Sequence, residues 1–229
     1  MIIKNLTKSF DKKLVFDNFS IEIPEKKLTI IEGKSGCGKT TLLRIVSGLD
    51  LNFKGEIIKK SNKISYVFQE PRLFGAITVK QNLEIINNGT NLSIEEILSI
   101  VELEKEQNTY PNELSGGMKM RLSLARALYY NGDTFIMDEP FSALDNDMKS
   151  RIIPKVLNLL KGKTVIIVTH DVLEIEKYAD NIIKLKNGLH IQSIFFIYNH
   201  SYCLYPFYEI LHNQILEEHM VRTHLPGRT

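Results

Sequence analysis

Residues 33–40 read Gly33-Lys34-Ser35-Gly36-Cys37-Gly38-Lys39-Thr40, a G-x-x-x-x-G-K-[ST] loop, and no other stretch narrows the possible folds as much. The pattern has chemical meaning only where a buried strand delivers the chain into it and a helix carries the chain away. Leu28-Thr29-Ile30-Ile31 is a short apolar run ending at Gly33, which predicts the strand. Apolar residues then recur at Leu42, Leu43, Ile45 and Val46 before Gly48, the spacing of a helix stopped by glycine. In that setting the glycines let backbone amides close around phosphate groups, and the helix start adds partial positive charge. Lys39 is expected to reach the β- and γ-phosphates of ATP, and the Thr40 hydroxyl to ligate Mg²⁺. Lys34, Ser35, Cys37 and Thr41 complete the expected cradle. Cys37 lies inside it, where an alkylated thiol would collide with nucleotide and the positive loop would favour the thiolate.

Strand and helix patterns alternate downstream. Strands are predicted at 64–68, 134–137 and 164–169, and helices at 118–130 and 147–160, the last with Pro154 inside it as an expected kink. Asn91-Leu92-Ser93-Ile94-Glu95-Glu96-Ile97 reads as a capped helix start within a mostly helical stretch between Pro71 and Pro111. Short apolar runs at Ile2-Ile3, Leu14-Val15-Phe16, Ile21 and Ile23 suggest further strands near the start. The alternation implies an α/β fold with a mostly parallel sheet covered on both faces. A length of 229 residues suits one such domain, alone or with an appendage. From about Leu189 the composition changes, with Phe195, Phe196, Tyr198, Tyr202, Tyr205, Phe207 and Tyr208 crowded together. The reading is therefore a domain at 1–188 and a tail at 189–229.

Charge and cysteine usage exclude several classes. A formal net charge of +2 is too small to argue for nucleic acid or an anionic membrane surface. Cys37 and Cys203 are the two cysteines, and neither belongs to a metal-ligand or disulfide pattern. The first residues lack the apolar core of a signal peptide, and no apolar run is long enough to span a bilayer. Action at a membrane is expected only through partners, from the cytoplasmic side.

The strand at 134–137 ends in Asp138-Glu139. An acidic pair at the carboxyl end of a parallel strand faces the crevice where ligands of such sheets bind. Asp138 is suited to hold Mg²⁺ and Glu139 to polarise an attacking water. Alone, the pair is explained equally well as the start of a solvated loop; together with the phosphate loop it points to hydrolysis.

Between these two motifs lies Leu114-Ser115-Gly116-Gly117-Met118, followed by a basic helix with Lys119, Arg121 and Arg126. Ser115 and the Gly116 and Gly117 amides form a second anion nest at a helix start. This segment resembles the signature motif of ABC ATPases, which implies a P-loop core sheet with a small helical lobe at about 71–130. The resemblance implies that the signature binds the γ-phosphate held by a partner subunit in a head-to-tail dimer, either a homodimer or a paired ABC subunit. It further implies that Phe10 stacks on adenine, although Phe16 is a nearby competitor and either aromatic could simply be core. Gln69 resembles the glutamine that touches Mg²⁺ and senses the membrane partner. Ser142-Ala143-Leu144-Asp145 is similar to the loop that crosses the dimer interface, and His170 to the switch histidine at the γ-phosphate.

Phe68-Gln69-Glu70-Pro71-Arg72-Leu73, Tyr110-Pro111 and Asp138-Glu139-Pro140-Phe141 look like the ATPases of nitrate, sulfonate, taurine and pyrimidine-precursor importers. Such relatives often continue with Leu-Pro-Trp, where this chain has Phe74-Gly75-Ala76 and no tryptophan. The resemblance implies a permease partner and an extracytoplasmic solute-binding protein, with no nucleic acid. Two rival readings fit less well. A soluble ABC ATPase of DNA repair or translation usually carries a long insertion or a second cassette, and a non-catalytic scaffold would not need both Glu139 and His170. The tail departs from the family and reads as an accessory element, a packing flap or sequence without a role, with no catalytic function expected.

Overall fold

A computed structural model describes residues 1–11, 13–86, 89–170, 172–186 and 190–194. The aromatic-rich part of the expected tail, from Phe195 onward, lies outside the described residues. The chain opens with β1 (Ile2–Phe10) and β2 (Lys13–Glu22), an antiparallel hairpin pair. β3 (Leu28–Gly33) leads through the phosphate loop into α1 (Lys39–Ser47), followed by β4 (Lys54–Ile58) and β5 (Ile64–Val67). Two short helices, α2 (Val79–Glu84) and α3 (Ile94–Ile100), precede the long α4 (Gly116–Tyr130). Then come β6 (Thr134–Asp138), α5 (Asn146–Leu159), β7 (Thr164–Val168), α6 (Val172–Ile175), β8 (Asn181–Lys186) and β9 (His190–Ile194).

Two sheets result. The larger has the order β5-β6-β7-β3-β8-β9, parallel from β5 to β8 and closed by antiparallel β9. β3, β6 and β7 are apolar along nearly their whole length because both of their faces are covered. Their alternation divides the interior. Phe135 and Met137 of β6, with Val165 and Ile167 of β7, pack against Leu122, Leu124, Ile152 and Val156 of α4 and α5. Ile136, Ile166 and Val168 point the other way, onto Leu42 and Ile45 of α1 and onto Leu6 and Phe16 of the hairpin.

The main sheet is the mostly parallel one expected, and a smaller, fully antiparallel sheet ordered β2-β1-β4 stands beside it. β4 escapes notice in the sequence because its side chains alternate little in burial along an edge. β9 pairs with β8 and carries the main sheet past Gly188 as far as Ile194 among the described residues.

The helical stretch between β5 and α4 is organised by a residue that the sequence did not single out. Asn82 of α2 is fully buried. Its Oδ1 accepts from the Phe74 amide at 3.0 Å, and its Nδ2 donates to the carbonyls of Phe74 (3.0 Å), Ile77 (3.2 Å) and Thr78 (3.0 Å). Reciprocal capping boxes at Thr78/Gln81 and Ser93/Glu96 start α2 and α3. Replacing Asn82 by Leu keeps the volume but strands these buried backbone groups, each costly to leave unpaired. Asn82→Leu is expected to destabilise the chain by about 2 kcal/mol, measured as a lowered urea midpoint, and to speed protease cleavage at 73–78.

Candidate active site

The phosphate loop leaves the centre of the main sheet, since β3 is flanked by β7 and β8. Gly38 caps α1 with φ of +105° and makes no side-chain cap bond. A Cβ here would lie 2.8 Å from Val15 Cγ1 and 2.9 Å from Phe16 Cζ, so only glycine fits between loop and hairpin. The amide groups opening α1 are therefore free of side-chain caps and face a crevice, the arrangement that binds anions. Lys39 crosses the loop's mouth, donating to the carbonyls of Gly33 at 2.7 Å and Lys34 at 3.2 Å.

A cleft of about 540 Å³ opens at the carboxyl ends of the parallel strands, within the ~300–1,000 Å³ usual for small-molecule sites. Gly33, Ser35, Gly36, Gly38, Lys39, Thr40 and Thr41 line it from the loop, and Gln69, Asp138, Glu139, Ser142 and His170 from the sheet side. A larger groove, about 720 Å³, lies at the opposite end of the sheet between Lys26–Leu28 and the end of α5. The polar lining of that groove is mainly lysines, with Tyr178 and Asp180, whereas the smaller cleft gathers two lysines, two carboxylates and an imidazole.

Asp138 ends β6 almost fully buried and accepts a hydrogen bond from Thr40 Oγ1 at 2.7 Å. Burial pushes its carboxyl above the usual range; the Glu139 charge adds to this, while the Thr40 hydroxyl and Lys39 oppose it. The Thr40 hydroxyl, the Asp138 carboxylate and the Gln69 amide oxygen are hard donors of the kind Mg²⁺ takes. A divalent cation between them would offset the cost of a buried carboxylate, so the residues present fit the ion.

Glu139 adopts a left-handed backbone with φ of +51°, a conformation that costs a non-glycine residue roughly 1 kcal/mol or more. Three bonds hold it there. Its amide donates to the Val168 carbonyl at 2.8 Å, and its carbonyl accepts from the Ser142 amide (3.3 Å) and hydroxyl (2.9 Å). The turn swings the Glu139 side chain to His170, whose Nδ1 lies 2.9 Å from Oε1. The His170 amide approaches Oε2 at 3.4 Å. A carboxylate so fixed at the cleft wall can accept a proton from a water placed before it. Ser142 thus has a role in this chain's own site that sequence reading assigned only to a subunit interface.

The two candidate aromatics separate. Phe10 is 49% exposed at the cleft rim, whereas Phe16 is 1% exposed and packs in the core against Phe19. Sequence reasoning missed Lys13 and Val15, which also line the cleft. Register shows why they are there, because Lys13 pairs directly with Phe10 across the hairpin. Cys37 is a correction. Its side chain is 6% exposed and joins the core on the hairpin side, so its thiol does not face the cleft.

The signature segment does not line this cleft. Ser115 caps α4, its Oγ accepting from the Met118 amide at 3.3 Å. Leu114 is buried, and Met118 packs partly against the core. Gly116 faces open space, whereas a Cβ on Gly117 would lie 2.8 Å from the Ala143 carbonyl oxygen. In the following loop Leu144 is buried and Asp145 caps α5, its Oδ1 accepting from Met148 at 2.8 Å.

Known proteins share this architecture. Residues 16–142 match the family model described as ABC transporter. An aliphatic sulfonates import ATP-binding protein, SsuB, of Bacillus cereus is 36% identical, covering 83% of this chain and 80% of its own. The sulfate/thiosulfate import ATP-binding protein CysA of Synechocystis is also 36% identical, over 82% of this chain and 58% of its own. Among solved structures, the dimeric ATP-binding cassette MJ0796 in a post-hydrolysis state with ADP and Pi superposes with a TM-score of 0.73. It is 31% identical and covers 85% of this chain and 97% of its own.

The inward orientation of Cys37 gives a direct test of the loop. In the native protein, N-ethylmaleimide is expected to label Cys37 only slowly, both with and without MgATP, and rapidly once guanidinium unfolds the chain. Intact-mass spectrometry with peptide mapping reads the labelling.

Proposed function

The chain belongs to the ABC transporter family as one of its ATP-hydrolysing cassettes, and from that premise we propose that it energises solute uptake through a membrane-embedded permease. The arrangement of Glu139, held by Ser142 and paired with His170 beside the phosphate loop, carries the catalytic reading. ATP's phosphates lie in the loop, where phosphate oxygens take over the Lys39 ammonium from the Gly33 and Lys34 carbonyls. The base rests on the exposed face of Phe10. Thr40, Gln69 and Asp138 would hold Mg²⁺, which would supply neutralisation of the phosphate charge. Glu139 takes a proton from the attacking water as its oxygen bonds to the γ-phosphorus in line, while the bond from that phosphorus to the β–γ bridging oxygen breaks and ADP leaves. His170 keeps the carboxylate aimed and is close enough to the cleft to sense the γ-phosphate.

The same cleft is incomplete on one side. The Ser115-Gly116-Gly117 nest lies away from it in its own subunit, which supports a head-to-tail pair in which each signature closes the partner's nucleotide. The dimeric cassette among the structural neighbours supports that pairing. Among the described residues no helix is long and apolar enough to cross a membrane, in keeping with docking on permease subunits at the cytoplasmic face. The names of the sulfonate and sulfate relatives support an oxoanion of the sulfonate class as solute, delivered by an extracytoplasmic binding protein. Selectivity then resides in those partners, and the solute that co-purifies with the permease complex tests the assignment.

Glu139→Gln removes the proton acceptor while leaving every phosphate contact in place. Its kcat is expected to fall about 100-fold or more, with ATP affinity retained and the ATP-bound dimer favoured. Phosphate release together with size-exclusion chromatography reads both effects, and near-normal turnover would overturn the assignment.

The trans role of the signature is tested best at Gly116. Gly117→Asp would collide with Ala143 inside its own chain, so its effect could not be ascribed to the partner. Gly116 faces open space, and an aspartate there places negative charge where the partner's phosphate docks. In the Glu139→Gln background, Gly116→Asp is expected to abolish ATP-dependent dimerisation while monomer ATP binding changes less than about threefold, a difference under ~0.7 kcal/mol.

A further inference from the structure

Lys8 is a lysine where the fold has little reason to put one. It is 4% exposed on β1, two residues before Phe10, so both side chains emerge on the same face of the strand. Its ammonium is fully engaged. Nζ lies 2.8 Å from Asp50 Oδ2, donates to Asp50 Oδ1 at 3.0 Å and donates to the Asn52 carbonyl at 2.6 Å. It also sits 4.6 Å from the centroid of the Phe10 ring, within the ~6 Å reach of a cation–π contact. One face of Phe10 is thus occupied by a desolvated cation, and the exposed ring borders the nucleotide cleft.

The anchor of Lys8 is itself tied to α1. The Asp50 amide donates to the Arg44 carbonyl at 3.1 Å, beside the glycine-capped end where the Leu49 amide reaches the same carbonyl at 2.8 Å. The Asp50 side chain accepts in turn from the Asn52 amide at 3.0 Å. The Lys8 ammonium beside it holds the Asp50 carboxyl below its usual range. One end of α1 therefore presents the phosphate cradle, and the other end anchors the cation beneath Phe10. The ammonium also lies near the helix's carboxyl terminus, where the dipole favours positive charge.

We propose that Lys8 is a positioning residue for the nucleotide base: held by Asp50 and the Asn52 carbonyl, it fixes the Phe10 ring as a platform and ties that platform to the helix carrying the phosphate loop. This rests on the reading of Phe10 as the base-stacking residue. The cation draws electron density toward its own face of the ring, leaving the outer face better matched to an electron-rich purine. It also restricts the torsional freedom of a side chain that is otherwise half exposed, so the stack forms at lower entropic cost. Lys8 spends its ammonium on Asp50, the Asn52 carbonyl and the Phe10 ring and does not line the cleft, so its contribution belongs to ATP affinity and not to the chemical step.

The test is a double-mutant cycle on full-length protein, with the Kd of MgATP measured by calorimetry and kcat at saturating ATP. Phe10→Ala is expected to weaken ATP binding about tenfold or more, from the loss of one aromatic–base stack. Lys8→Met is expected to weaken it about three- to tenfold, the range of a desolvated cation–π contact, with kcat within twofold of wild type. The double variant is expected to bind no more weakly than Phe10→Ala alone, because Lys8 acts only through the ring. Asp50→Asn, which frees the ammonium without altering Lys8 or Phe10, is expected to show a smaller loss that also vanishes in the Phe10→Ala background. It carries the test should Lys8→Met fold poorly. Unchanged ATP affinity in Lys8→Met and Asp50→Asn, with Phe10→Ala impaired, overturns the proposal alone. Additive losses in the double variant also overturn it, since they assign Lys8 a general structural role. Unimpaired binding by Phe10→Ala overturns the base-stacking reading itself, and the proposal with it.

Discussion

Gly38 leaves no room for a Cβ against Val15 and Phe16 and opens α1 without a side-chain cap. The helix amides consequently have no partner from a capping side chain and point into the crevice beside β3, where an anion satisfies them best. Much else depends on this contact. It fixes the antiparallel hairpin over the helix, which brings Phe10, Lys13 and Val15 to the cleft. It also places the helix along the sheet face lined by Ile136, Ile166 and Val168. A side chain at position 38 would have to separate the two layers, and the base and phosphate halves of the site would part together.

Opposite this positive helix start the sheet supplies negative charge at a cost. Asp138 is buried next to Glu139, which disfavours its ionised form, and the bond it accepts from Thr40 opposes this only in part. Glu139 bears the second cost in its left-handed backbone, sustained by Ser142 and Val168. Strain of this kind persists only where neighbouring bonds over-determine it. Here its product is direction: the carboxylate turns from the strand axis toward His170 and the cleft.

The loop after Glu139 links three tasks within four residues. Ser142 steadies Glu139, Ala143 lies against Gly117 of the signature, and Asp145 starts α5. A movement of the signature would therefore be felt at Ala143 and, through Ser142, at the backbone that aims the carboxylate. The route runs through backbone contacts close enough to exclude a Cβ at Gly117.

Local chemistry was legible in the sequence because each motif is short and carries its own context. The phosphate loop announces itself by glycine spacing between a strand and a helix, the Asp138-Glu139 pair by the apolar run before it, and Ser93 and Glu96 by their capping spacing. Contacts between distant segments were not legible. Phe10 and Phe16 are equivalent as letters on one hairpin, and only register and the packing of α1 send one to the cleft rim and the other to the core. Cys37 belongs to the loop in sequence yet turns inward, because the loop's curvature directs that side chain at the hydrophobic core. β4 hides because an exposed edge strand needs no hydrophobic alternation. Asn82 and Lys8 look like surface residues until their partners at Phe74, Ile77, Asp50 and Asn52 are brought to them. The sequence alone determined which groups can bind phosphate and move a proton, since those capacities belong to individual residues and their immediate neighbours. Tertiary structure decided which of them meet, because burial and register depend on segments far apart in the chain and leave no local pattern.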